Sequence, residues 1–241
     1  MKNKSAIPNN AKFSLFSKHK DEILKSLLFE KKAQFSYEEI ISWFTNLKSM
    51  TDLQTERCNI NELSDWDITP SSISHKEKKY FEILGISSRI GNREVTEWCQ
   101  PIVRQRETGI IGFIIRKINN VYHLLVQAKI EPGNFDVLEM APTVQCITGS
   151  YRNPEYSVRY LEYFLGKKKS TVIYDVLQSE EGGRFFHEQN RNIVVVVDDS
   201  FPLEVDKYFI WMTFHQAKEF IKFNNYFNIE ARGLLACISP V

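Results

Sequence analysis

The chain has 241 residues, 43% of them hydrophobic and 25% charged, with 31 Lys and Arg set against 30 Asp and Glu. That is the composition of a folded chain long enough to bury a core, and it excludes a disordered tail. A formal net charge of +1 argues against a broad surface for nucleic acid or anionic membrane, but leaves room for the few basic groups that a diphosphate needs.

In chain order, Ile23, Leu24, Leu27 and Leu28 fall at helical spacing. Ser36 and Glu39 form a capping box ahead of Ile40, Ile41, Trp43, Phe44 and Leu47, which predicts a second helix. The stretch from Thr51 to Ser72 is polar, ends at Thr69-Pro70 and reads as a connection with local turns. Tyr80 to Leu84 is short and apolar, and Gly85 to Gly91 reads as a break. From Gly109 the period changes to that of strands. Gly109 to Ile118 and Val121 to Lys129 flank Asn119-Asn120, whose tolerance of positive φ suits a tight hairpin turn. Tyr156 to Leu165 reads as a helix with Tyr160, Leu161 and Phe164 on one side. Val172 to Val176 and Ile193 to Val197 are further strands, the second apolar throughout and expected to be buried on both faces. Thr213 and Gln216 form a second capping box, opening a helix from Phe214 to near Phe223. The pattern predicts an α+β fold, with a helical lead over residues 1–65 and a mixed domain over residues 66–241.

Several familiar sites are missing. No GxxxxGK[ST] occurs, no GxGxxG follows a strand, and neither HExxH nor GxSxG is present. Any reaction must therefore run without a Rossmann-bound cofactor. Cys58, Cys99, Cys146 and Cys237 form no CxxC pair, which speaks against a zinc ribbon or a disulfide framework and for reduced thiols. Neither an apolar signal region nor a run long enough to span a bilayer is visible, so a soluble cytoplasmic protein is the expectation.

Four polar segments carry candidate chemistry. Gln127, Lys129 and Glu131 alternate at a strand end, and Pro132-Gly133 then turns the chain to present Asn134. Lys129 beside Glu131 is either an acid/base pair or a surface ion pair on a half-exposed edge. Glu139, Thr143 and Gln145 follow, with Tyr151 and Arg152 beyond. Thr and Gln both donate and accept hydrogen bonds, which suits sugar hydroxyls, and Arg152 would reach a phosphate; ordinary loop polarity is the alternative. Trp98, with Gln100 beside it, offers a stacking platform or is simply core. Gly182-Gly183-Arg184-Phe185-Phe186-His187-Glu188-Gln189-Asn190-Arg191 suits diphosphate binding, proton transfer or a solvated hairpin turn.

In order and spacing, these segments resemble those of the NDP-hexose 2,3-dehydratases. The matching features begin with Ser74-His75, Tyr80-Phe81 and Gly85, then Arg93-Glu94-Val95 running to Trp98-Cys99-Gln100-Pro101. Gly109 to Gly112, Val121-Tyr122-His123-Leu124, the QAKIEPGN run from Gln127 and Pro142-Thr143-Val144-Gln145 follow. GGRFFHEQNR from Gly182, Trp211-Met212-Thr213 and Glu230-Ala231-Arg232-Gly233-Leu234-Leu235-Ala236-Cys237 close the match. It runs from Trp66 to Cys237, and the N-terminal helices match more loosely.

The resemblance implies a Nudix-like mixed sheet flanked by helices. No segment has the REUxEE carboxylate pattern, so pyrophosphate hydrolysis is not expected and no metal is required. Members of the family carry two such units in tandem, so a single unit implies a homodimer. The implied reaction removes C3–H and the C2 hydroxyl from an NDP-4-keto-6-deoxyhexose, with dTDP the expected nucleotide. It is redox-neutral, so no cofactor is implied. On the family reading Glu131 is the base, with Lys129 near the C4 oxygen or holding Glu131 ionised. His187 or Tyr151 assists departure of water. Gln127, Asn134, Thr143 and Gln145 orient sugar hydroxyls, Arg152, Arg184 and Arg191 compete for the diphosphate, and Trp98 stacks with Gln100 beside it. The rival expectations are a sugar-nucleotide binder without chemistry, an enolising isomerase and, ranked last, a Nudix-type hydrolase.

Overall fold

The computed structural model describes residues 9–147 and 157–238. It opens with helices α1 (Asn9–Leu28) and α2 (Tyr37–Met50). The expected capping box starts α2: the Ser36 hydroxyl accepts from the Glu39 amide at 3.2 Å, and the Glu39 carboxylate accepts from the Ser36 amide at 2.7 Å. The polar stretch that follows is more than a connection. It holds a 3₁₀ turn (Ile60–Glu62) and strand β1 (Trp66–Ile68), which pairs with β2 (Ser72–His75). With β3 (Glu82–Arg89) and β4 (Glu97–Arg104) these form an antiparallel sheet in the order β1-β2-β3-β4. The break expected over Gly85 to Gly91 begins only after Arg89, where β3 ends. Gly85 lies inside β3 opposite Pro101, because the ladder with β4 carries the strand through a residue that alone would weaken it.

The larger sheet is built on a hairpin. Strands β5 (Gly109–Ile118) and β6 (Val121–Ile130) are joined by Asn119 and Asn120 at φ of 50° and 67°, the left-handed pair that a two-residue turn requires. β5 and β6 face each other only from Ile114 to Ile118. Beyond Ile114 they part, and β7 (Leu138–Ala141) and β8 (Val144–Ile147) fill the fork, β7 against β6 and β8 against β5. Thr143 sits at the point of separation. Its hydroxyl accepts from the Ile114 amide at 2.9 Å and donates to the Leu125 carbonyl, replacing ladder bonds the strands give up as they diverge.

After the fork come α3 (Leu161–Phe164), β9 (Thr171–Ser179), β10 (Gln189–Val197) and β11 (Phe209–Thr213), and the sheet order is β11-β6-β5-β10-β9. β10 runs parallel to β5 and antiparallel to β9, and Ile193, Val194 and Val195 are fully buried, as their unbroken apolar run predicts. The helix expected over Tyr156–Leu165 is one turn long. Tyr160 takes φ of 65°, which stops helical hydrogen bonding on its N-terminal side, while Tyr156 lies outside the described residues. Helix α4 (Phe214–Ile221) starts at the expected Thr213–Gln216 capping box, and α5 (Ile229–Ile238) is capped by Asn228, whose Oδ1 accepts from the Ala231 amide at 2.9 Å.

Helices lie on both faces of this sheet. Phe113, Leu124, Val194 and Met212 pack with Ile23, Phe44, Phe214, Phe220 and Leu234 of the long helices, while Ile114, Leu125, Ile193 and Trp211 pack with Leu161, Phe164 and Phe201. Polar bonds fasten the N-terminal helices. Buried Ser26 donates to the Tyr122 carbonyl at 2.5 Å and accepts from the Phe214 amide at 3.0 Å, and Gln216 donates to the Phe35 carbonyl at 2.6 Å.

Candidate functional site

Beyond the ends of β6 and β9 lies a cleft of about 1020 Å³. Three segments wall it: the turn after β6, the segment after β9, and the first turns of α5. The Pro132-Gly133 turn is closed by the Asn134 amide bonding the Glu131 carbonyl at 3.1 Å, and Asn134 Nδ2 donates to the Lys129 carbonyl at 3.4 Å. Behind it, Asp136 pairs with Lys48 of α2, so the turn is anchored at both ends. Glu131 and Asn134 line the cleft from this side. Glu180 and Arg184 line it from the segment after β9, Asn192 from β10, and Glu230 and Arg232 from α5.

The electrostatics centre on Glu230. Burial pushes its carboxyl above the usual carboxylate range, and the charges of Glu131 and Glu180 add to that rise, with Lys129 opposing it. Arg184 is exposed and pairs with Glu181, Nε to carboxylate 2.8 Å. Glu131 pairs with Lys129 at 3.3 Å. Lys129 itself lines a second, smaller cleft of about 400 Å³ with Gln127, Gln145 and Arg159, so the pair bridges the two clefts at the end of β6.

The expected site residues therefore divide. Glu131, Asn134 and Arg184 share the large cleft. Gln127, Lys129 and Gln145 gather in the smaller one, and Gln145 accepts from the α5 cap Asn228 at 2.7 Å. Thr143, expected to read sugar hydroxyls, is 1% exposed and spends its hydroxyl on the strand fork. Arg191, expected at a diphosphate, is held by Asp175 through two bonds of 2.8 and 3.0 Å. Strand alternation sends its neighbour Asn192 to the cleft and Arg191 to the other face of β10. His187, expected near the reacting sugar, lines a side cleft of about 340 Å³ and stacks on Phe186 at 4.2 Å. Trp98 and Gln100 lie on β4. The indole donates to Gln100 at 2.8 Å, Arg93 covers the ring at 5.6 Å, and Gln100 donates to the Gly183 carbonyl at 2.8 Å. They thus fasten the smaller sheet to the Gly182-Gly183 turn. Tyr151 and Arg152 lie outside the described residues.

Glu180, Glu230 and Arg232 had no role assigned from sequence. One local signal marks the last two: Asn228 ahead of the helical apolar set Leu234, Leu235 and Ile238 announces a helix start, and a carboxylate in its first turn follows. Among the described residues no group of three or more His, Cys, Asp or Glu is arranged to hold a metal ion, and no helix is long and apolar enough to cross a membrane.

The sequence model of the NDP-hexose 2,3-dehydratases matches residues 37–238. The dTDP-4-dehydro-6-deoxy-alpha-D-glucopyranose 2,3-dehydratase of Amycolatopsis orientalis is 34% identical over 86% of this chain and 44% of its own length. Proteins of the same description from Streptomyces violaceoruber and Saccharopolyspora spinosa are each 35% identical, over 83% and 84% of this chain and 45% and 42% of their own. The chain thus spans less than half the length of the curated relatives it matches.

Proposed function

The chain belongs to the NDP-hexose 2,3-dehydratase family, and on that premise we propose that it eliminates water from a dTDP-4-keto-6-deoxyhexose to give a 3,4-diketo sugar nucleotide. The C4 ketone makes the C3 proton acidic by delocalising the charge left behind. A base takes that proton, an acid protonates the departing C2 hydroxyl, and the resulting enol relaxes to the diketone. One carboxylate and one carboxylic acid in a single cleft meet this requirement.

The observation that carries the reading is the meeting of Glu131 and Glu230 in one cleft, with burial and neighbouring charge raising the Glu230 carboxyl above the usual carboxylate range. Glu131 serves as base, with Lys129 as its ion-pair partner, and Glu230 as acid. Arg184 and Arg232 hold the diphosphate at the cleft wall, and Asn134 orients a sugar hydroxyl. A cytoplasmic setting belongs to the same proposal and is supported by Cys58, Cys99, Cys146 and Cys237, which form no disulfide among the described residues.

The test is to incubate the purified chain with dTDP-4-keto-6-deoxyglucose and follow mass. Loss of one water, with the vicinal diketone trapped by an aromatic 1,2-diamine, is the expected result. A product of unchanged mass identifies an isomerase instead, and binding without conversion identifies a carrier of the sugar nucleotide.

A further inference from the structure

The side cleft of about 340 Å³ opens beside the substrate cleft, and Glu180 lines both. Glu188, which lines the side cleft, is 8% exposed, and its Oε2 has no hydrogen-bond partner among the described residues. A buried carboxylate with an unsatisfied oxygen is costly in its charged form. Asn190, equally buried, organises the two carboxyls. Its Oδ1 accepts from the Gly109 amide at 2.8 Å, which turns Nδ2 towards Glu180 Oε1 at 2.7 Å and Glu188 Oε1 at 3.5 Å. Gly109 is needed for this lock, since a Cβ there would stand 2.3 Å from Asn190 Oδ1. The Glu180 amide also bonds the Glu188 carbonyl at 3.0 Å, so the backbones of the two acids are held in register.

We propose that Glu180 and Glu188 share a single proton, making Glu188 a proton store that tunes the substrate cleft through Glu180. In the transfer an O–H bond breaks on Glu188 and one forms on Glu180, through a water in the side cleft, and one negative charge moves the opposite way. The gain at Glu180 removes one of the two negative charges that add to burial in raising the Glu230 carboxyl, which makes Glu230 a stronger acid towards the departing hydroxyl. Glu188 is thus a positioning residue acting through Glu180, and this catalytic link rests on the dehydratase reading. Burial, then the charge of Glu180, pushes the Glu188 carboxyl up to about 7, with the Asn190 bond opposing. Among the described residues that line the side cleft or bond Glu188, the titratable and amide groups facing it are Glu180 from the end of β9, Asn190 from β10 and His187 beside it, and the smaller sheet presents the apolar Ile86 and Ile102.

Infrared titration of the free protein tests the pair without any substrate. A carboxylic-acid carbonyl band should disappear with a midpoint of about 7, be missing in Glu188→Gln, and shift to lower pH in Glu180→Gln, a variant at a less buried position. A spectrum with no carboxyl titrating above the ordinary range, or a band that survives Glu188→Gln, overturns the proposal. With sugar nucleotide, the wild-type rate should fall as pH rises through about 7, and Glu188→Gln should lose that limb while KM stays within about threefold. An unchanged profile in that variant also overturns it. No turnover in the wild type refutes the dehydratase reading alone, and the infrared titration then decides on the shared proton by itself.

Discussion

Glu131 and Glu230 reach the cleft from distant parts of the chain, one from the turn after β6 and the other from the first turn of α5. The separate duties proposed for them can be told apart by isotope exchange in deuterated water. Glu131→Gln is expected to abolish both C3 exchange and dehydration while substrate affinity stays within roughly tenfold. Glu230→Gln should keep C3 exchange and lose about 10²–10⁴ in dehydration rate, since only departure of the hydroxyl is impaired. Loss of exchange in Glu230→Gln would reverse the roles. Thr143 makes a different kind of demand. Replacing it by Val leaves the Ile114 amide and the Leu125 carbonyl unsatisfied inside the fork, which costs about 1–3 kcal/mol in denaturant unfolding. A variant as stable as the parent would show that the fork does not depend on this hydroxyl. That Glu131 and Asn134 line a cleft was legible in the sequence because a Pro-Gly turn after an alternating strand marks a strand end that displays side chains. Thr143 and Arg191 were not, since a fork between two strands and a partner such as Asp175 exist only once distant segments have met.

Elements with a local chemical signature were read correctly: the two capping boxes, the Asn-Asn turn and the buried run of β10. Those set by partners were not. β3 persists through Gly85 because β4 pairs with it, and α3 shrinks to one turn because Tyr160 adopts a left-handed conformation. His123 shows how the elements are held together. It is fully buried on β6, bonds the Val121 carbonyl at 3.1 Å through Nδ1, and accepts the Gln34 amide at 3.0 Å through Nε2, linking the approach to α2 with the sheet. Burial holds its pKa down to about 4, against 6.5 for an exposed imidazole. The unfolded chain therefore takes up the proton first as pH falls. The stability contributed by neutral His123 is complete above about 6.5 and is lost as pH falls towards about 4. Measured against a His123→Gln variant, the parent's denaturant midpoint should drop across that window. Glu188 contributes with the opposite sign, favouring the fold below the ordinary carboxylate range and ceasing to do so as pH rises through about 7. A His123→Gln variant should lose the acid-side slope specifically, and an unaltered slope would assign it to other groups.

At the scale of the whole molecule, the chain covers less than half of each relative it matches. If the tandem arrangement implied by the family resemblance is needed, two copies supply it across a two-fold axis. Light scattering at micromolar concentration should then report twice the 28.2 kDa of one chain. A single-chain mass in protein that still dehydrates its substrate would mean that one unit suffices. The cleft also carries a means of reporting its own occupancy. Cys237 on α5 lines the large cleft and accepts from Gln178 Nε2 at 3.3 Å, whereas Cys58, equally exposed, belongs to the polar stretch after α2. The two thiols form an internally controlled footprint for a small alkylating reagent. Bound dTDP should slow modification of Cys237 and leave Cys58 unchanged in peptide mass spectra, and equal rates with and without nucleotide would locate the ligand elsewhere. Occupancy could then be followed in unmodified protein, before any turnover is measured, by the accessibility of one sulfur atom.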